Sequence, residues 1–192
     1  MNQPSLYTSR LTLGPAGSQD LEQLHALWSQ PEVRRFLFDD QDVSLELAQS
    51  VLDSCLKCAV SGYGLWLVHP KDDRELLGCV GLVPTTTAAE HEPALSGLLE
   101  SVASLEAAHW HKGYAREALA AVLTHAFNAL ELPKVAAVND VPNVASERML
   151  NALGFQVLSE VQGPRHRMRT YTLERRAWGR ASHSSSERER HR

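Results

Sequence analysis

Trp110-His111-Lys112-Gly113-Tyr114-Ala115 stands directly before the most regular apolar pattern in the chain. Ala115, Ala118, Leu119, Val122, Ala126, Phe127 and Leu130 recur at spacings of three and four, the period of a helix with one buried face. Leu132-Pro133 stops that helix, because proline cannot continue it. The six quoted residues therefore form a loop at a helix N-terminus, where unpaired main-chain N–H groups and the positive end of the helix dipole gather. Gly113 removes a side chain where an anion has to come close, and Ala115 keeps the next position small. Together they make a socket suited to a pyrophosphate. A Gly-x-Ala before a helix occurs in many loops, however, and Trp110 and Tyr114 are equally suited to packing the loop against a core.

Upstream of this loop, residues 98–105 read as a strand, and residues 84–97, rich in Thr, Ala, Pro and Glu, as a mobile loop. Residues 64–68 and 76–83 are short apolar runs joined by a charged turn, the pattern of an antiparallel hairpin. Residues 10–13 alternate as a first strand. Ser18 is the expected cap of a helix carrying Leu21, Leu24, Leu27 and Trp28, which Pro31 interrupts. Ser44 caps a second helix through Leu47, Val51, Cys55 and Cys58.

Downstream, residues 135–138 form a short buried strand. Asn143 caps a helix that runs to Leu153 and ends at Gly154. Residues 156–161 and 168–173 close the pattern as two strands. From Gly179 the chain is Ser, Arg, Glu and His, which predicts a disordered tail over residues 179–192 after one domain over residues 1–178.

The chain has 192 residues, enough for one sizeable core, and a formal charge of −4, which argues against a nucleic-acid partner. No apolar run approaches the roughly 20 residues of a membrane helix, and no secretory segment is evident, so a cytoplasmic protein without a membrane partner is expected. Three cysteines, Cys55, Cys58 and Cys79, suit free thiols. Cys55-x-x-Cys58 has no second pair at metal spacing, so it reads as two half-buried helix thiols. His109 and His111 flank Trp110 with Glu106 near, but no three-ligand set is evident, and no metal is expected.

In its loop and in what surrounds it, the chain resembles the GNAT superfamily of acetyltransferases, and within it the branch that acetylates ribosomal-protein N-termini (RimJ/RimL-like). The family's loop has the form [Gln/Arg/Trp]-x-x-Gly-x-[Gly/Ala], matched by Trp110 through Ala115, with Glu117-Ala118 following. Asn143-x-x-Ser146, Leu150 and Leu153-Gly154-Phe155 match its second block. Ser9-Arg10-Leu11-Thr12-Leu13 and Pro31-Glu32-Val33-Arg34-Arg35-Phe36-Leu37 resemble its N-terminal block, and residues 171–178 its end. The resemblance covers residues 8–178.

It implies an α/β (α+β) fold: a mixed, mostly antiparallel sheet of six to seven strands with a central splay, flanked by helices. It implies acetyl-CoA as co-substrate, held by Ser104, Leu105 and Glu106 along the pantetheine arm, and by Trp110, His111, Lys112, Gly113, Tyr114, Ala115 and Arg116 at the pyrophosphate. Asn143 and Ser146 complete the implied cofactor set. The partner is an amine acceptor, a small molecule or a protein N-terminus, attacked directly in a ternary complex. Relatives often dimerise, so a homodimer is a further expectation.

A thioester is already activated, so the residues must place the amine, accept its proton and polarise the carbonyl. The main-chain N–H near Leu105 is the implied oxyanion donor. Where many relatives have a tyrosine that protonates the departing thiolate, this chain has Leu150, and Ser146 is the alternative donor. A thiol pKa near about 8.5 makes that help dispensable. Glu100, Glu106 and Glu160 are the candidate bases, each equally readable as a solvated strand residue. Arg165, Arg167 and Arg169 alternate on a late strand with Tyr171 in phase, either as a charged outer face or as a site for an acidic acceptor. Leu150 and the unassigned base also admit a different class, an acyl-CoA-binding regulatory module without turnover. A Rossmann-type nucleotide binder is disfavoured by the missing Gly-x-Gly-x-x-Gly.

Overall fold

A computed structural model describes residues 2–179 of the chain, apart from the side chains of residues 86 and 87. It clusters into two compact units: the described residues up to Pro84 with Glu100–Leu123, and Thr85–Leu99 with the described residues from Thr124 onward.

The first unit carries strands β1 (Leu6–Tyr7), β2 (Leu11–Pro15), β3 (Leu65–Pro70), β4 (Gly78–Pro84) and β5 (Leu99–Leu105, from Glu100), in that spatial order. β1 through β4 pair antiparallel, with Leu13 opposite Val68 and Leu67 opposite Cys79. Leu11 and Leu13 are fully buried on one face of β2, the period-two pattern of a strand with one face on the core. β3 and β4 are buried almost throughout, so the expected hairpin is a central one. Three helices join them: α1 (Leu21–Trp28), α2 (Pro31–Leu37) and α3 (Leu45–Ala59). Their apolar faces, including Leu24, Leu27, Trp28, Val33 and Leu52, pack with Leu65, Leu67 and Cys79 into one core.

Two helix starts differ from expectation. Ser18 opens a single 3-10 turn, and it is Asp20 whose carboxylate takes the Gly17 N–H at 2.7 Å and the Gln23 amide at 2.7 Å. Pro31 does not merely interrupt α1; it is the first residue of α2, where its missing N–H costs nothing. Ser44 caps α3 as expected, its hydroxyl accepting from Leu47 N–H at 3.1 Å.

The second unit carries α4 (Thr86–His91), the end of α5 (Tyr114–Asn128), β6 (Lys134–Asp140), α6 (Val144–Ala152), β7 (Gln156–Gln162) and β8 (Arg167–Glu174). β8 lies between β6 and β7 and is antiparallel to both. Asn143 caps α6 through its side-chain oxygen, 3.2 Å from the Ser146 N–H, and Gly154 follows at φ 89°. The segment expected as a mobile loop is folded. Thr85, buried, donates its hydroxyl to the carbonyls of Leu95 at 2.6 Å and Leu98 at 3.1 Å, with α4 and a 3-10 turn between.

The described residues thus hold eight strands rather than six to seven. The addition is β1, two residues long and too short to show a period; it is made by the tight turn in which Thr8 N–H donates to Leu11 O at 3.0 Å. The expected tail from Gly179 lies, beyond that glycine, outside the described residues.

Candidate functional site

After β5, one 3-10 turn (Ala107–His109) leads into the loop, and α5 starts at Tyr114. The first main-chain bond of α5 runs from Glu117 N–H to Gly113 O at 3.1 Å. Among the described residues, the amides of residues 111–116 donate to no main-chain carbonyl. Six successive N–H groups at the positive end of a 15-residue helix are what an anion requires. Gly113 sits at φ 80° and His111 at φ 60°, so the chain turns through left-handed backbone twice in three residues. A Cβ at Gly113 would meet only Arg10 Nη2, at 3.5 Å, so the glycine is demanded by its backbone angle and leaves the approach open. His111, Lys112 and Arg116 are exposed, and Tyr114 and Ala115 partly so.

Trp110 stands at the surface, held by a hydrogen bond rather than by burial in a core. It is 40% exposed, and its indole N–H donates to Leu105 O at 2.8 Å. Leu105 is buried, while Ser104 and Glu106 are partly so. Glu106 donates its own amide to Leu77 O at 3.0 Å, on β4's side, and its carboxylate stands 3.9 Å from the His109 ring. His109 also lies 3.4 Å from Glu75. Among the described residues no group of three or more metal-capable side chains gathers.

Gly78 explains how closely β4 meets this strand end. A Cβ there would stand 2.2 Å from Ser104 O and 2.6 Å from Leu105 Cα. One residue on, the buried Cys79 thiol is 3.2 Å from the Ser104 hydroxyl, and burial pushes its pKa up to about 11. Cys55 is likewise raised by burial, to about 12, with Cys58 and Cys79 adding to it, so these are unreactive packing thiols.

Glu100, also on β5, keeps some solvent-accessible area, yet the protein around its carboxyl pushes its pKa up to about 7 by desolvation. That tunes Glu100 toward neutrality, the range that suits a general base. Glu160, in the second unit, is drawn the other way. Arg169 hydrogen-bonds it at 2.6 and 3.0 Å and Arg167 stands 2.8 Å away, so against some desolvation its pKa is lowered. Arg169 also pairs with Glu147 of α6, and Tyr171 beside it on β8 is fully buried. The arginine face of β8 is thus largely compensated by carboxylates of its own unit. In that unit Asn143 and Ser146 sit together in the first turn of α6, both partly exposed, and Leu150 is buried in its core-facing row.

Sequence reading missed a second layer around the loop. The Glu117 carboxylate accepts from Thr8 Oγ1 at 2.6 Å, Ser9 Oγ at 3.0 Å, Arg10 N–H at 3.0 Å and Arg10 Nε at 2.7 Å. Arg10 Nη2 stands 2.6 Å from the same carboxylate, Nη1 donates to Lys112 O at 3.1 Å, and the guanidinium covers the Tyr114 ring at 4.6 Å. Burial raises the Glu117 pKa, but the hydrogen bonds from Thr8, Arg10 and Ser9 outweigh it and hold the group below the usual carboxylate range. Arg10 and Glu117 both fall inside quoted motifs, but nothing in the sequence pairs them.

Residues 10–156 match the acetyltransferase (GNAT) domain family. The chain is 32% identical to YoaA, an uncharacterized N-acetyltransferase of Bacillus subtilis (strain 168), over 154 residues, covering 80% of this chain and 83% of that protein. Among solved structures, an acetyltransferase from Agrobacterium tumefaciens str. C58 superposes with a TM-score of 0.75 at 21% identity, covering 91% of this chain and 96% of that one. A spermidine N-acetyltransferase from Vibrio cholerae, solved in complex with CoA and spermine, gives a TM-score of 0.71 at 18% identity, covering 89% and 99%. At such identities these two structures speak for the mixed α/β fold.

Proposed function

The chain belongs to the GNAT acetyltransferase family, and from that premise we propose that it moves an acetyl group from acetyl-CoA to a primary amine, with the amine attacking directly. The observation that carries this reading is the run of unbonded amides over residues 111–116 at the start of α5, turned outward through Gly113. It fits a pyrophosphate by charge and by donor count. The CoA bound to the spermidine N-acetyltransferase of the same fold supports the same donor.

Acetyl-CoA supplies a thioester that is already activated. The loop amides hold its anionic end, and the main chain of Ser104, Leu105 and Glu106 lines up the arm, with Leu105 N–H as the donor to the developing oxyanion. Glu100 accepts the proton of the amine. A carboxyl tuned to about 7 is half ionised at neutral pH, so it is both available and basic enough to help. Glu106 and Glu160 receive no such role, the one beside His109 and the other held by two arginines. The acceptor is a protein N-terminus or a small-molecule amine. An α-amine with pKa about 8 is roughly a tenth neutral at pH 7 and needs little basic help, which suits the former.

Calorimetric titration of acetyl-CoA into the wild type and Gly113→Glu tests the donor site, with thermal melts reporting the fold of each. Binding to the wild type that the added carboxylate abolishes supports the reading; no heat with the wild type sinks it. Steady release of CoA thiol across an amine panel then separates an enzyme from a binding module, which would bind acetyl-CoA without turnover.

A further inference from the structure

The Glu117 carboxylate sits in the first turn of α5, one residue beyond the amides assigned to the pyrophosphate. A bare carboxylate there repels a phosphate. This one is not bare: it takes every hydrogen bond that Thr8, Ser9 and Arg10 direct at it. The same Arg10 guanidinium continues past it to the carbonyl of Lys112 and the face of Tyr114. One planar cation therefore touches residues 112, 114 and 117, on both sides of Gly113. Glycine itself contributes no side chain to fix its left-handed turn, and a flexible turn pays the ordering entropy when the ligand binds.

We propose that Arg10 and Glu117 form a preorganising clamp that sets the main-chain geometry of the anion-binding loop, with Arg10 as a positioning residue that acts through residues 112–114 rather than by touching the cofactor. The proposal rests on the reading of residues 111–116 as the acyl-CoA site. Planarity matters to it. The Nε and Nη2 groups engage the carboxylate while Nη1 reaches a carbonyl, a division that a lysine ammonium on a flexible stem cannot reproduce. The clamp also neutralises Glu117, so two effects, charge and geometry, have to be told apart.

A charge-balanced double variant tells them apart. Arg10→Gln leaves Glu117 unpaired beside the phosphates, and both effects predict weaker acetyl-CoA binding. Glu117→Gln leaves a free cation there; charge alone predicts tighter binding, whereas the clamp predicts weaker. Arg10→Gln with Glu117→Gln restores the charge balance without the clamp. The expected result is a Kd for acetyl-CoA raised about tenfold in both single variants and in the double, without additivity, because the pair acts as one unit. Arg10→Lys, which keeps the charge and the fold of the segment, is expected to bind as weakly. In turnover, the loss falls on the KM for acetyl-CoA and not on the KM for the amine, which a general loss of stability would not arrange. Wild-type affinity in the double variant, or tighter binding by Glu117→Gln, overturns the clamp while leaving the cofactor site intact. Failure of the wild type to bind acetyl-CoA overturns the site reading and the clamp with it.

Discussion

The indole N–H of Trp110 donates to the main-chain oxygen of Leu105, 2.8 Å away, and so ties the first residue of the loop to the last residue of β5. The strand end proposed to carry the pantetheine arm and the loop proposed to carry the pyrophosphate are held to one spacing by a side chain that is itself 40% exposed. Trp110→Phe keeps an aromatic side chain, smaller than the indole, and removes the bond. Because the ring is half in solvent, global stability should fall by no more than about 1 kcal/mol, the net value of a single hydrogen bond. Acetyl-CoA affinity should fall several-fold. Calorimetry alongside a thermal melt checks both, and unchanged affinity removes the tether from the site.

Glu100→Gln should make the protein more stable and less active. A carboxyl whose folded pKa is raised to about 7 destabilises the fold wherever it is ionised. The native proton preference contributes stability below the unfolded pKa and loses it as pH rises through about 7. The neutral amide should therefore match the wild type near pH 4 and exceed it at pH 8, by ~3 kcal/mol at most, the full shift at 1.36 kcal/mol per unit. Turnover by the wild type should rise with pH through about 7, and in Glu100→Gln that limb should flatten. Chemical denaturation at the two pH values gives the first comparison and a pH–rate profile the second. A variant that is stabilised but retains the wild-type profile would leave Glu100 a buried carboxyl without a role in proton transfer.

What could be read in advance follows from how local each signal is. The start of α5, its loop, the Ser44 and Asn143 caps and the β3–β4 hairpin are written within a few neighbouring residues and stand where expected, whereas α5 ends at Asn128, short of the expected stop at Leu132-Pro133. The clamp joins residues more than a hundred positions apart, and no periodicity reports that Thr8, Ser9 and Arg10 converge on Glu117. Glu100, Glu106 and Glu160 were indistinguishable as sequence, because what separates them is desolvation in one case and arginine or histidine neighbours in the others. Ser18 does not cap α1, because the chain makes a 3-10 turn over residues 18–20 first, held by the Asp20 carboxylate on the Gly17 N–H, and a residue's type alone does not report that turn.

Gly78 is a point of close contact between β4 and β5. With φ 148° and a Cβ that would lie 2.2 Å from Ser104 O, Gly78→Ala has to push β5 away at Ser104 and Leu105. Overpacking against main chain together with an unfavourable backbone angle should cost roughly 2–5 kcal/mol. Gly97→Ala is the matched comparison. It too has positive φ, 77°, but open space around it, so it should pay only the angle, about 1–2 kcal/mol. Urea denaturation of both variants measures the difference. Equal losses would mean that β4 and β5 do not meet as closely as the Gly78 geometry requires.

Thr85 decides whether residues 85–98 behave as a folded element or as the mobile loop their composition suggests. Its buried hydroxyl offers one proton to two carbonyls, Leu95 O and Leu98 O, while its own N–H also donates to Leu98 O at 3.2 Å. Thr85→Val is close to isosteric and leaves those carbonyls without the hydroxyl, at a cost of about 1–2 kcal/mol. The loss should be local before it is global. The Leu95 and Leu98 amides, bonded to Glu92 O and Leu95 O across the 3-10 turn, should exchange hydrogen faster, and protection in α3 should stay at the wild-type level. Hydrogen exchange resolved to these peptides checks this. Fast exchange over residues 85–98 already in the wild type would mean that the hydroxyl does not hold the segment and that its polar composition governs it after all.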